Sequence, residues 1–437
     1  MNKKVTIIGA GLAGSEAAYQ LAAHGFHVEL IEMRPIIQTE AHKTPYFAEL
    51  VCSNSLKSTL LSTSSGLLKE EMKLFNSLII QKALEHAVPA GHSLAVDRTN
   101  FSKSITAQLE QHKNINIVRR EVCSFDEVDA DYLIVATGPL TSKNLSNYLH
   151  QIFGEHLYFY DAIAPVVSAD SIDYAYTFFA SRYGKGEPDY LNCPLNKDEF
   201  DNFYNALISA NLVAYREFED LRYFEACLPI EELARRGKET LRYGPLKPVG
   251  LTFNGKKPYA VLQLRKENEL GTSYNLVGCQ TRMLYGEQKK AFACIPALKN
   301  AEYLRLGSMH RNTYIASPKI LGKNFTLKNN PNIYIVGQLT GVEGYMPSAA
   351  SGLVAALDII FKENNMIFSL PSTTALYAIS NYHLSYSKKD FVPSNFHFDM
   401  LPPLGYNERD KRKRKLLYSM RALDSLKNFL NEVALPI

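Results

Sequence analysis

The chain has 437 residues, of which 46% are hydrophobic and 21% charged, and its formal net charge is +4. This ordinary composition argues against a disordered or fibrous protein, and the length predicts two or three domains. The sequence contains no run of about 18 apolar residues that would span a bilayer, and a predicted strand begins where a signal peptide would lie. We therefore expect a cytoplasmic protein without membrane association.

The first distinctive segment is residues 5–32, VTIIGAGLAGSEAAYQLAAHGFHVELIE, which predicts a strand, a glycine turn, a helix and a second strand. Gly9 permits the turn, Gly11 allows a pyrophosphate to approach the backbone, and Gly14 allows close packing of helix and strand. Glu32 ends the second strand, where a carboxylate accepts hydrogen bonds from ribose hydroxyls. The residues expected to bind a dinucleotide here are Gly9, Ala10, Gly11, Leu12, Ala13, Gly14 and Glu32.

The next part of the chain begins with a long polar stretch, residues 33–58, that is predicted to be a loop. Apolar spacing then predicts one helix from Gly66 to about His86, another over Thr99–His112 and a strand over Ile115–Val118. Near the end, the basic run that starts at Lys411 opens a further helix.

Two later strands also run into glycine, at Tyr132–Gly138 and at Asn332–Gly341. A helix of small residues, beginning at Ser348, follows the second of them and offers its N-terminus to a phosphate. The residues that we expect to contact the cofactor in these segments are Gly138, Gly337, Gly341, Ser348 and Ala349.

Three cofactor-type strand ends, at about residues 9, 138 and 337, indicate an FAD domain built from both parts of the chain. The expected fold is α/β, with a Rossmann-like, glutathione-reductase-like domain formed by residues 1–170 and 308–437. Residues 171–307 differ in composition and are expected to form an inserted α+β domain that binds substrate. Within it, the stretch from Glu231 to Arg305 holds 14 Lys/Arg against 7 Asp/Glu. This basic excess suits a polyanionic partner, and a solvated surface is the alternative.

The six cysteines lie far apart, without a C-x-x-C pair or histidines at ligand spacing. Neither a disulfide framework nor a zinc site is therefore expected. We interpret four of these cysteines as inert structural thiols, namely Cys123, Cys193, Cys279 and Cys294.

Several dense stretches resemble the TrmFO family, the folate- and FAD-dependent RNA uracil-5-methyltransferases, which are related to the GidA/MnmG flavoproteins. The resemblance covers nearly the whole chain. It is carried by GAGLAGSEAA, FAELVCSNSLKS, GLLKEEM, VPAGHSLAVDR, DYLNCPLNKDEF, EACLPIEELARRGKETLRYGPLKPVGL, GSMHRNTYI and GQLTGVEGY. The resemblance implies FAD as cofactor, 5,10-methylenetetrahydrofolate as carbon donor and NADH or NADPH as reductant. It implies 5-methyluridine as product, at the T-loop uridine of tRNA by default, and no obligatory protein partner is evident.

The resemblance also places the two functional cysteines of the family on Cys52 and Cys227. Methylation at uracil C5 requires that a thiolate add to C6 and that a base remove the C5 proton. We expect Cys227 to be the nucleophile, because Arg235, Arg236 and Lys238 lie close in sequence and favour its thiolate. Cys52 would then assist proton removal, and the reverse assignment stays open.

Other functions remain as alternatives. Lys/Arg contacts to phosphates position an RNA but do not read its sequence, so a uridine of 23S rRNA is a second candidate target. Pro347 and the segment FVPSNFHFDMLPPL, which depart from the family pattern, keep that alternative open. Three further hypotheses are a GidA/MnmG-like enzyme that modifies C5 of the wobble uridine, an NAD-only dehydrogenase and a non-catalytic RNA-binding flavoprotein.

Overall fold

The computed structural model describes residues 3–39, 41–154, 157–184, 187–213, 228–385, 391 and 393–433, and for residues 157–161, 184 and 310–312 it describes the backbone alone. Cys227, which is predicted to be the nucleophile, lies outside the described residues. None of the helices in the described ranges combines the length and the hydrophobicity that crossing a membrane requires.

The strands of the described residues are β1 (Lys4–Ile8), β2 (His27–Glu32), β3 (Ser55–Ser58), β4 (Ala87–Val88), β5 (Ser93–Val96), β6 (Ile115–Arg119), β7 (Tyr132–Val135), β8 (Leu157–Ile163), β9 (Val166–Ser168), β10 (Phe178–Phe179), β11 (Leu191–Leu195), β12 (Ala260–Lys266), β13 (Ser273–Leu276), β14 (Tyr303–Arg305), β15 (Ser308–Tyr314), β16 (Thr326–Leu327) and β17 (Asn330–Ile335). The α-helices are α1 (Leu12–Ala23), α2 (Ser64–Leu74), α3 (Leu78–Glu85), α4 (Arg98–Glu110), α5 (Lys143–Phe153), α6 (Lys197–Ser209), α7 (Ile230–Arg235), α8 (Lys238–Tyr243), α9 (Tyr285–Phe292), α10 (Ser317–Ile320), α11 (Tyr345–Glu363), α12 (Ala375–Asn381) and α13 (Lys411–Glu432).

The first large sheet joins strands from both parts of the chain in the order β16-β17-β7-β1-β2-β6. From β17 to β6 all neighbours are parallel, with Val5 opposite both Val28 and Tyr132 and with Ile333 opposite Leu133. Because parallel strands end at the same edge, the glycine turns after β1, β7 and β17 meet there. Helices α1 and α11 cover the sheet together, in contact so close that a Cβ on Gly352 would lie 2.0 Å from the Ala13 carbonyl oxygen.

The second large sheet, antiparallel throughout, has the order β10-β11-β12-β13-β9-β14. Its own hydrophobic core uses buried residues from Val167 to Leu298, including Phe200 and Phe292. The core under the parallel sheet uses residues from Val5 to Leu149 and from Tyr314 to Leu426. A pair, β8 with β15, and a small sheet, β3-β5-β4, complete the described strands.

The single helix predicted from Gly66 to His86 is wrong, because the structure divides it into α2 and α3. Asn76 has φ of +53°, which interrupts the helical path, and the Ser77 hydroxyl caps α3 by accepting from the Ile80 amide at 3.3 Å. The buried Glu16 carboxylate also accepts from the Ser77 hydroxyl at 2.8 Å. The break therefore depends on a contact from α1, which local periodicity does not show.

His383 couples the stability of the FAD-type core to pH. The ring is 1% exposed and lies 3.0 Å from the Gly322 carbonyl oxygen through Nε2, and burial lowers its pKa from 6.5 to about 4. Between pH 6.5 and about pH 4, His383 binds a proton in the unfolded chain but not in the folded protein. The free energy of unfolding therefore falls as the pH is lowered through this range. We expect this residue alone to lower the free energy of unfolding at pH 4.5 by about 2 to 3 kcal/mol relative to pH 7.

Urea unfolding at pH 7 and pH 4.5 tests this coupling. His383→Gln should lose less stability on acidification than the wild type, and the same change at the exposed His397 controls for the histidine-to-glutamine substitution itself. Parallel losses in the wild type and the His383→Gln variant would contradict the prediction.

Candidate functional site

A first cavity lies over the glycine turn that follows β1. Gly9 has φ of +98°, and a Cβ there would lie 2.7 Å from the Ala136 carbonyl oxygen. Gly14 packs beneath the turn, where a Cβ would lie only 1.9 Å from the Gly9 carbonyl oxygen. Most of the residues predicted to bind the dinucleotide line this cavity, namely Gly9, Gly11, Leu12, Ala13, Glu32, Gly138, Gly337 and Ser348.

The other residues predicted to contact the cofactor do not line this cavity. Ala10 donates its amide to Glu32 at 2.9 Å, and Gly14 supports the turn. Gly341, with φ of +82°, packs against the Phe391 ring, and Ala349 is fully buried inside α11. In the described part of the chain, neither Gly341 nor Ala349 borders the cavity.

Glu32 forms a buried ion pair at the end of β2. Its Oε1 accepts from Arg34 Nε at 2.9 Å, and Arg34 also contacts Glu49 at 3.2 Å. Burial alone would raise the pKa of Glu32, but the Arg34 hydrogen bond and charge, with the Ala10 amide, hold that pKa below its usual value. The carboxylate is therefore an ionised acceptor beside the cavity.

Two structural observations indicate that the cavity can bind a dinucleotide. Glycines at its floor let backbone approach a ligand where a Cβ would intrude, and α1 points its N-terminus from Leu12 toward the same space. The Ser348 hydroxyl borders the cavity and is buried without a hydrogen-bond partner among the described residues. A buried polar group of this kind is ordinarily satisfied, so a bound ligand with polar atoms accounts for it.

A second cavity, of about 310 Å³, adjoins the first. The two share wall residues, which are Val51, Pro139, Leu140, Gln338 and Tyr345. Cys52, which the sequence analysis predicts to be catalytic, lines the second cavity together with Ser53, Lys57, Gln280 and Glu343. A ligand in the second cavity would therefore contact both a thiol and the edge of the first cavity.

Three arginines hold residues 50–54, the Cys52 loop: Arg265 and Arg305 come from the antiparallel sheet, and Arg98 is the first residue of α4. Arg305 donates from Nη1 and Nη2 to the carbonyl oxygens of residues 51 and 52 at 3.3 and 3.1 Å. Arg98 donates to the carbonyl of residue 50 and forms an ion pair with Glu267 at 2.8 Å. Burial lowers the pKa of Arg305 to about 10, which still leaves the guanidinium charged near neutral pH.

Arg265, the third arginine, binds the side chains of the Cys52 loop. It donates from Nε to Asn54 Oδ1 at 2.9 Å and from Nη2 to Ser53 Oγ at 2.8 Å. Asn54 in turn donates to the carbonyls of Val96 and Lys266 at 3.0 and 2.9 Å. Each residue of the Cys52 loop is thus fixed by a long-range hydrogen bond, which positions the thiol in the cavity wall.

A buried lysine supports the rim of the second cavity. Lys69 donates from Nζ to the carbonyls of Ser58 and Ser65 at 3.0 and 3.1 Å, and Ser65 lines the cavity. Burial, with the charges of Lys57 and Lys73, lowers the pKa of Lys69 to about 7. Near neutral pH this amine is therefore only partly charged.

The described residues on either side of segment 214–227, which contains Cys227, both bond to residues 280–282. The Val213 amide donates to the Arg282 carbonyl at 2.9 Å, and the Ile230 amide donates to the Gln280 carbonyl at 2.7 Å. Gln280 lines the cavity that contains Cys52. The chain on both sides of the segment is thus attached beside this cavity.

The remaining cysteines lie in other environments. Cys193 and Cys279 are fully buried, and burial raises the pKa of both thiols. Cys294 and Cys123 are half-buried, and their pKa values are raised as well, by burial first. Thiols of this kind are poor nucleophiles at neutral pH.

The chain matches known proteins over nearly its whole length. The family model described as glucose inhibited division protein A matches residues 4–366. A Sulfurihydrogenibium protein is 51% identical over 434 residues, and a Persephonella marina protein is 50% identical over 432. The matches cover 98% of this chain and 98% and 99% of those proteins, respectively. Both are named methylenetetrahydrofolate–tRNA-(uracil-5-)-methyltransferase TrmFO.

Solved structures agree on the fold. Aquifex aeolicus GidA superposes with a TM-score of 0.71 at 14% identity, covering 99% of this chain and 74% of that one. The predicted α/β, Rossmann-like fold is confirmed, and so is the resemblance stated from the sequence. The chain belongs to the TrmFO family, within the wider family of glucose inhibited division protein A.

Proposed function

We propose that the protein methylates C5 of a uridine in RNA, with FAD bound and with 5,10-methylenetetrahydrofolate as carbon donor and NADH or NADPH as reductant. The observation that carries this proposal is the joining of two cavities, one fitted to a dinucleotide and one lined by Cys52. TrmFO relatives at about half identity bear the name of this activity.

FAD would be held by the Gly9, Gly11 and Gly14 turn, by Glu32 at the ribose and by Ser348 at the N-terminal end of α11. The predicted contacts at Leu12, Ala13, Gly138 and Gly337 belong to the same proposal, whereas Ala10, Gly341 and Ala349, which do not line the cavity, would support its wall. When bound, FAD supplies the redox chemistry that converts a one-carbon unit to a methyl group. The protein supplies the thiols, the position of the RNA base and the exclusion of water.

The two thiols have separate roles in the proposal. Cys227 adds to C6 of the uracil, and Cys52, fixed by the Cys52 loop, assists removal of the C5 proton. Attachment of Val213 and Ile230 beside the cavity of Cys52 supports bringing both thiols to one base. The exchange of the two roles remains the alternative.

The RNA is proposed to be tRNA, as in the names of the relatives, with 23S rRNA as the second candidate. We assign RNA binding to residues 171–307 and FAD binding to residues 1–170 with 308–437. The two hydrophobic cores follow nearly the same limits, which supports this division. In the insert, the exposed ring of Tyr243 lies beside the half-buried Arg242, and such an aromatic–basic pair suits stacking and phosphate contacts.

The product identifies the reaction. The purified protein, incubated with unmodified tRNA, methylenetetrahydrofolate and NADPH, should form 5-methyluridine, detected by mass spectrometry of the digested nucleosides. Transcripts of 23S rRNA form the parallel arm. A heavier substituent at C5 would support wobble-uridine chemistry instead, and the absence of any modified nucleoside with a flavin-loaded protein would reject the proposal.

A further inference from the structure

Tyr345 lies where the two cavities join. Tyr345 is the first residue of α11, and its side chain lines both spaces. Its oxygen accepts the backbone amide of Cys52 at 2.8 Å and that of Ser53 at 3.2 Å. The hydroxyl therefore touches the Cys52 loop directly, although the two residues are 293 positions apart in sequence.

The hydrogen-bond capacity of this hydroxyl is only partly used within the protein. A tyrosine oxygen offers two acceptor positions and one donor proton, and the two amides occupy both acceptor positions. Among the described residues, none accepts the hydroxyl proton. Because Tyr345 lines the cavities, an acceptor on a ligand there would complete the hydrogen bonds of its hydroxyl.

The hydroxyl also keeps its proton under working conditions. Burial raises the pKa of Tyr345, and the nearby Cys52 thiol raises it further against the opposing charge of Arg98 and the two amide bonds. At neutral pH the group is a hydrogen-bond donor and not a phenolate. It is thus suited to stabilise negative charge that develops next to the Cys52 loop.

We propose that Tyr345 donates a hydrogen bond to the uracil carbonyl oxygen that becomes negatively charged when a thiolate adds to the ring. The inference rests on the proposed function. When the sulfur–C6 bond forms, the C5–C6 π electrons move toward C4 and its oxygen, giving an enolate. The Tyr345 proton is shared with that oxygen and is not transferred, and the enolate then carries the nucleophilic C5.

The direct test measures addition to C6 alone. A thiol adduct that forms and reverses exchanges the C5 hydrogen, so tritium release from RNA containing [5-³H]uridine reports enolate formation by the holoenzyme without a carbon donor. Tyr345→Phe should slow tritium release by about 100-fold or more, the usual loss for one oxyanion donor. Tyr132→Phe, which removes a hydroxyl bonded to Glu363 at 2.7 Å, serves as matched control and should retain the wild-type rate.

Two readouts separate this role from a structural one. The flavin content and spectrum of Tyr345→Phe, and the rate at which iodoacetamide alkylates Cys52 without RNA, should match the wild type. A changed flavin spectrum would assign the hydroxyl to the cofactor, and changed alkylation would assign it to the thiol; either result overturns the proposal. Wild-type rates of tritium release in Tyr345→Phe would also overturn it.

A second variant keeps the fold and changes only acidity. Site-specific 3,5-difluorotyrosine at position 345 retains the hydroxyl that the Cys52 and Ser53 amides bond, but it ionises at lower pH. The alkaline limb of the pH profile for tritium release should move to lower pH, and an unchanged profile would overturn the proposal. If the wild type releases no tritium from any RNA, the proposed function fails. If the wild type releases tritium and the rate does not depend on the residue at position 345, only the proposal for Tyr345 fails.

Discussion

Gly14→Ala should yield a protein that retains little or no flavin after purification. The added Cβ would lie 1.9 Å from the Gly9 carbonyl oxygen and 3.2 Å from the Ala136 side chain, so the turn that carries Gly9 and Gly11 must move. Overpacking of this kind costs about 1 to 3 kcal/mol, which corresponds to FAD affinity weaker by about fivefold to 150-fold. The measurement is the ratio of flavin to protein absorbance, followed by titration of the apoprotein with FAD.

Gly25→Ala provides the control at the opposite end of α1. Gly25 has φ of +82° but open space around its Cβ position, so alanine there costs backbone strain of about 1 to 2 kcal/mol without touching the turn. Gly25→Ala should keep the wild-type flavin ratio despite a lower melting temperature. Equal flavin loss in both variants would mean that stability, and not the shape of the turn, governs cofactor retention.

The sequence predicted those parts of the fold whose signals are local. The glycine turn after β1, the strands before Gly138 and Gly337, and the helices over Thr99–His112 and from Lys411 depend on periodicity and turn residues. The structure places β7, β17, α4 and α13 at these positions. The helix of small residues begins at Tyr345 and not at Ser348, since Gly344, with φ of +98°, precedes the first turn.

The support of the Cys52 loop was not predicted, because it is built from contacts that are distant in sequence. Arg265 and Arg305 lie more than 200 residues from the groups that they bind, and neither belongs to a motif that marks a partner. Tyr345 lies within GQLTGVEGY, which marked a functional segment without indicating the contact to Cys52. Such pairs arise from the approach of the two sheets, and a single sequence carries no periodic signal for that approach.

The assignment of the two thiols predicts opposite behaviour for two alanine variants. RNA transcripts that carry 5-fluorouridine have no C5 proton to lose, so an enzyme that attacks C6 and transfers the one-carbon unit becomes trapped as a covalent adduct. The Cys227→Ala variant should lose the adduct by a factor on the order of 10³ or more, because the nucleophile is gone. Cys52→Ala should still form the adduct on fluorinated tRNA.

The same Cys52→Ala variant should fail with natural tRNA. If Cys52 assists removal of the C5 proton, its loss should slow formation of 5-methyluridine by about 10²- to 10⁴-fold. Cys123→Ala, at a half-buried thiol that borders neither cavity, is the control for both assays and should behave as the wild type.

The pattern of adducts distinguishes the remaining alternatives, because each alternative predicts a different pattern. Adduct loss in Cys52→Ala alone would exchange the two roles and make the thiol held by Arg305 and its neighbours the nucleophile. Adducts that form on 23S rRNA transcripts and not on tRNA would move the substrate while leaving the chemistry in place. Because Cys52 is fixed by hydrogen bonds along its whole loop, even Cys52→Ala should preserve the cavity, so either result reports on the sulfur atom itself.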